Sequence, residues 1–216
     1  MTATLHYIFD PLCGWCYAAS PLVRRVADEL QESVAVQLHP GLLFETPMSL
    51  KADWRQHILQ ADQQIHALSG VRFGDAYIAR IRTAESVILA SSLPAAAVLA
   101  AEQLQSGAGL DMLESIQIAH YVNGENVCEM PRLRALAAAL DLPSEAFGAA
   151  LDHELTQQAA TTRHARDLLQ ASGGQGYPTF VLQIGEHHIR LPHARGYGQP
   201  QTFIDQINQS IAREHP

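Results

Sequence analysis

The chain has 216 residues, of which 47% are apolar and 17% charged, so it can bury a core and is not compositionally disordered. A net charge of −8 and a pI near 5.7 argue against nucleic-acid and anionic-membrane partners, both of which call for a basic patch. No apolar run reaches the ~18 residues of a membrane-spanning helix. The opening residues also lack the basic start and long apolar stretch of an export signal, so a cytoplasmic location is expected.

In chain order, residues 4–9 (Leu5, Tyr7, Ile8, Phe9) read as a strand, and the pair Cys13 and Cys16 follows at once around Gly14-Trp15. Residues 14–32 read as a helix with an apolar stripe of Leu22, Val23, Val26 and Leu30, and Pro21 inside it predicts a kink. The alternating segment 34–38 predicts a second strand, ended by His39-Pro40-Gly41. A strand, a helix and a strand of these lengths imply parallel pairing. From about 50 to 156 the chain turns rich in Ala, Leu, Gln and Glu, predicting helices over 53–67, 75–91, 94–105, 109–121, 131–140 and 144–155, the last capped by Ser144. A further helix over 157–171 ends at Gly173-Gly174. A strand from Tyr177 to Leu182, a hairpin partner over 187–191 and a closing helix over 200–213 complete the reading, with Arg195 to Gly198 as the bend before that helix.

Two thiols three apart at a helix start share one face and can close a small disulfide ring. The first would sit at the helix N-terminus, where unpaired N–H groups and the helix dipole favour the thiolate that attacks disulfides. This makes Cys13 the candidate nucleophile and Cys16 the thiol that resolves the mixed disulfide. A structural or zinc-binding pair is the other reading, but zinc needs about four ligands. Only Cys128, which reads as an idle thiol, and scattered histidines remain, so no metal is expected. Asp10 is either a turn residue before Pro11 or a proton acceptor under the cysteines. Trp15 is expected to be exposed at the turn; Tyr17 fits a docking rim or the core equally.

The strand–Cys13-Gly14-Trp15-Cys16–helix, Pro21 five residues later, Gly176-Tyr177-Pro178-Thr179-Phe180 and the terminal hairpin with its helix together resemble the thioredoxin-like superfamily. The long helical stretch resembles the DsbA-like branch, and Asp10-Pro11 and Tyr17 look like its cytoplasmic FrnE-type members. The dipeptide Gly14-Trp15 departs from periplasmic DsbA proteins, which usually carry proline after the first cysteine. The resemblance implies an α/β thioredoxin-like fold with a large inserted all-α domain, the former from 1–49 and 157–216, the latter from 50–156. It implies a thiol-disulfide oxidoreductase with no organic cofactor, acting on a protein or small thiol such as glutathione. It also implies a cis bond before Pro178, with Trp15, Tyr177, Pro178 and Thr179 binding substrate. Two other functions stay open. One is a kappa-class glutathione transferase or 2-hydroxychromene-2-carboxylate isomerase, which typically carries serine at the position of Cys13. The other is a redox-switched binding or chaperone module. No heptad pattern demands a dimer, and a homodimer is left open.

Overall fold

The computed structural model describes residues 3–214. Strand β1 (Ala3–Phe9) leads into helix α1 (Gly14–Glu29) and then strand β2 (Val34–Pro40). β1 and β2 are parallel, with Ala3 opposite Val34 and Phe9 opposite Pro40, as the β-α-β reading expects. Near the other end of the chain, β5 (Thr179–Ile184) and β6 (His187–Leu191) form a hairpin. β5 pairs antiparallel with β1, giving a sheet of order β2-β1-β5-β6. Being central, β1 is covered on both faces, so its residues are buried almost throughout, His6 included, although Thr4 and His6 alternate with apolar neighbours. Tyr7 and Phe180 are cross-strand partners whose rings stack at 4.8 Å, and Phe203 of the closing helix α8 (Pro200–Glu214) meets Phe180 edge-on at 5.0 Å. Full burial of each such ring contributes about 1.5–3 kcal/mol. This core fixes the C-terminal end of β1, from which the cysteines emerge.

The intervening chain is helical. It comprises α2 (Ala52–Ser69), α3 (Asp75–Thr83), α4 (Ser92–Leu104), α5 (Ala108–Tyr121), α6 (Met130–Ala139) and α7 (Ser144–Ala171). The alanines of α4 (Ala95, Ala96, Ala97, Ala100, Ala101) are buried, their short side chains letting α5 and α7 approach closely.

Several elements differ from the sequence reading. The helix expected over 75–91 stops at Thr83; Ala84 is extended, and β4 (Ile88–Leu89) pairs antiparallel with β3 (Met48–Ser49). Burial of Leu89 and the β-branched Ile88 outweigh the helical composition there. The helices expected over 144–155 and 157–171 are a single one of 28 residues, because Leu155-Thr156-Gln157 contains neither glycine nor proline to stop it. The junction at 156/157 therefore lies inside α7. Ser144 is its first helical residue and makes no capping hydrogen bond; Pro143 holds the cap position. No described helix is long and apolar enough to cross a membrane.

Candidate active site

Cys13 occupies the N-cap of α1 with extended backbone angles (φ −90°, ψ 117°), and no side chain caps the free N–H groups there. Its own amide donates to the Asp10 carbonyl at 3.2 Å, a tight turn between β1 and α1. Cys16 lies one turn into the helix. Both thiols are free and buried, Cys13 keeping 6% exposure and Cys16 none. Burial pushes the Cys16 thiol well up from its ordinary value, and its hydrogen bond with Cys13 and the charge of Cys13 add to this. Against this, the Asp10 amide donates to Cys16 Sγ at 3.5 Å. The buried Tyr7 hydroxyl donates to the Cys16 carbonyl at 3.2 Å, locking that turn to the sheet.

The Tyr177–Pro178 bond is cis, as the resemblance implies. The loop turns the Tyr177 carbonyl onto Cys13, whose thiol donates to it at 3.5 Å. Thr179 is buried and spends its hydroxyl on the Gly176 carbonyl at 2.8 Å, so it shapes the loop from within. The Tyr177 side chain reaches across to the residue after β2, its hydroxyl donating to the Gly41 carbonyl at 2.7 Å. Arg166 of α7 donates to the same carbonyl at 3.2 Å, to that of Leu42 at 3.3 Å, and to Glu45 at 2.8 Å.

Asp10 has the hydrogen bonds of the turn reading. It is fully buried below the cysteines, and its carboxylate accepts from the amides of Leu12 and Leu43, both at 2.7 Å, as a turn residue would. Burial raises its proton affinity, and the Ser91 hydroxyl and those two amides oppose the rise. Trp15, expected to be exposed, is half-buried. Tyr197 stacks on it at 5.7 Å and donates its hydroxyl to the Trp15 carbonyl at 3.4 Å, so the bend before α8 closes over the indole. Tyr17 is half-buried and stacks on Tyr121 of α5 at 4.8 Å. Arg195 lies in a short 3-10 turn, exposed, and Cys128 is a half-buried free thiol ahead of α6.

Sequence reasoning missed what the helices bring. Asp62 and Ile65 of α2 press against Gly14, where an added Cβ would stand 2.8 Å from Ile65 Cδ1 and 3.3 Å from Asp62 Oδ1. Asp62 is buried, accepts from the Tyr77 hydroxyl at 2.9 Å, and is raised to about 7 chiefly by that burial. Only Gly14 itself, a residue without a side chain between two cysteines, signals this close approach. Gly41 and Arg166 carried no local signal at all. Among the described residues no cluster of three or more His, Cys, Asp or Glu is placed to hold a metal.

A Cys-x-x-Cys pair at a helix start, faced by the Tyr177-Pro178 loop on a thioredoxin sheet, defines a thiol-disulfide oxidoreductase, and a largely helical insertion, interrupted by the short strand β4, places it in the DsbA-like group. The chain belongs to the family described as DSBA-like thioredoxin domain, which matches residues 4–206. It is similar to the cytosolic disulfide reductase DsbM from Pseudomonas aeruginosa, at 37% identity and a TM-score of 0.87 over 97% of this chain and 98% of that one. A structure of that reductase with GSH superposes with a TM-score of 0.83 at 37% identity, over 97% and 99% of the chains. The oxidoreductase DsbA from Xylella fastidiosa shares the fold, at 15% identity and a TM-score of 0.54 over 97% and 87%. No curated protein matches the chain.

Proposed function

We propose that this oxidoreductase works as a cytoplasmic disulfide reductase recharged by a small thiol of the glutathione type. Cys13 thiolate attacks a substrate disulfide, forming a Cys13–substrate bond and releasing one substrate thiol. Cys16 then gives its proton to Asp10 and attacks Cys13 Sγ, closing the Cys13–Cys16 disulfide and releasing the second thiol. Two molecules of the small thiol reduce that disulfide and leave as their own disulfide, so electrons and protons balance. Trp15 and the Tyr177-Pro178-Thr179 loop form the docking rim.

The observation that carries this reading is the asymmetry of the pair. Cys13 Sγ stands 3.5 Å from the Tyr177 carbonyl, on the side where an extended chain could pair with the loop, while Cys16 is sealed beneath. The 37% identity to a cytosolic disulfide reductase, and that protein's structure with GSH, support the location and the choice of reductant.

The test follows turnover of a disulfide substrate in glutathione buffers for two variants. Cys13→Ser should lose exchange, and Cys16→Ser should accumulate a mixed disulfide detectable by mass. Full activity in the Cys13 variant would overturn the assignment. A titration of the wild-type pair would locate its potential within the roughly −270 to −120 mV that related dithiols span; a value near the upper end would argue for an oxidant instead.

A further inference from the structure

Next to α1, between α2, α3 and the loop joining them, lies a cavity of about 190 Å³ lined by Asp62, Gln63, His66, Arg72, Phe73 and Arg82, with aliphatic walls. It is smaller than the ~300–1,000 Å³ of sites that take a whole drug-sized ligand, and fits one amino-acid-sized group. The cavity is tied to the helix carrying the cysteines at three points. The Tyr17 hydroxyl donates to the Arg72 carbonyl at 2.9 Å, Phe73 packs edge-on against Tyr17 at 5.6 Å, and Asp62 stands over Gly14.

Its lining brings two arginines and a histidine together. Among the described residues neither Arg72 nor Arg82 is in an ion pair. His66 uses Nδ1 on the Val71 carbonyl at 2.8 Å, which leaves Nε2 for another partner. The one acid in the lining, Asp62, has an oxygen committed to Tyr77, and with a proton affinity lifted to about 7 it offsets the arginines only partly near neutral pH. In a chain of net charge −8, Arg72 and Arg82 place two positive groups at one cavity.

We propose that this cavity is a carboxylate subsite for the recharging thiol: Arg72 and Arg82 hold a free carboxylate of a small peptide-like thiol while its sulfur addresses Cys13. The inference rests on the small-thiol reading above. It adds a discrimination, because a thiol with a carboxylate at the correct reach is selected over an uncharged thiol of the same reactivity.

The experiment uses S-methylglutathione, which carries the carboxylates but cannot react, titrated calorimetrically into the oxidised full chain. Replacing both arginines (Arg72→Gln with Arg82→Gln) should weaken binding about tenfold, the loss expected for one charge-assisted hydrogen bond. Wild-type affinity should fall with added salt more steeply than the variant's. In reduction kinetics, the ratio of the glutathione rate to the 2-mercaptoethanol rate should fall by a similar factor, and Arg72→Lys should recover part of it. Equal affinity in wild type and double variant, or no binding to wild type, would overturn the subsite. A wild-type disulfide that binds S-methylglutathione yet reacts with no thiol would leave the subsite standing and remove the reductase reading instead.

Discussion

The Tyr177 hydroxyl meets the Gly41 carbonyl at 2.7 Å, and the same ring fills the space a side chain at residue 41 would need, its oxygen overlapping the place of a Cβ there. Gly41 is thus the seat of the loop that faces Cys13. Gly41→Ala should push the ring away and shift the Tyr177 carbonyl. A displacement of this kind, near 1 Å, can cost about 10²-fold in rate. Stopped-flow exchange with a model disulfide checks this, and a rate within twofold of wild type would show that the loop's position is set elsewhere.

Gly14→Ala tests the contact between the cysteine loop and α2. Alanine favours a helix by about 1 kcal/mol over glycine, but its methyl would crowd the buried Ile65, and overpacking costs about 1–3 kcal/mol. A net loss of stability is expected in urea unfolding. Adding Ile65→Val should return most of it, an outcome that a purely helical effect would not produce.

Asp10→Asn should leave the first attack by Cys13 nearly intact and slow the second step. The variant lacks the carboxylate that takes the Cys16 proton, and general-base catalysis contributes about 10²–10⁴-fold. The mixed disulfide should therefore persist in quenched-flow samples of the variant, and its decay should become steeper with pH. Unchanged decay would point to solvent as the acceptor.

On the α7 side of the sheet, His6 and His39 share a 3.0 Å contact between ring nitrogens, and His164 and His188 pack beside them. Burial, together with the neighbouring imidazoles, pushes His39 down from 6.5 to about 4. The unfolded chain therefore binds the proton more tightly. The stability held by neutral His39 is complete above about pH 6.5 and is lost as pH falls toward about 4. Urea midpoints should decline between pH 7 and pH 5, and His39→Gln should shrink that decline. An identical slope in the variant would assign the effect to other groups, such as the buried His120, pushed down to about 3.

The thioredoxin half was legible because its signals are local: a strand ending at the cysteines, an apolar helical stripe, and Tyr177-Pro178 before a β-run. The turn role of Asp10 was visible from Pro11, but the distant amide of Leu43 that its carboxylate also binds was not. Within the helical stretch, composition announced helix yet could not say that Ile88-Leu89 would leave it to pair with Met48-Ser49. Nor could it say that α7 would run unbroken past Thr156. The residues that complete the site from a distance, Arg166 and Asp62, depend on helix packing that joins positions more than 40 apart along the chain, as in the contacts of Arg166 with Gly41 and of Asp62 with Gly14. Such pairings leave no periodic trace in a single sequence.

The unbroken course of α7 has a mechanical consequence. With 28 residues it is a rod roughly 42 Å long. Near one end Phe147 and Leu151 are buried in the helical core; nearer the other, Arg166 grips the segment by which the chain first leaves the sheet, at Gly41 and Leu42. The backbone passes between the two halves twice, once along this rod and once through that segment, and one guanidinium staples the second passage to the first. Because the Tyr177 hydroxyl shares the Gly41 carbonyl with that guanidinium, both passages and the loop facing Cys13 converge on a single backbone oxygen.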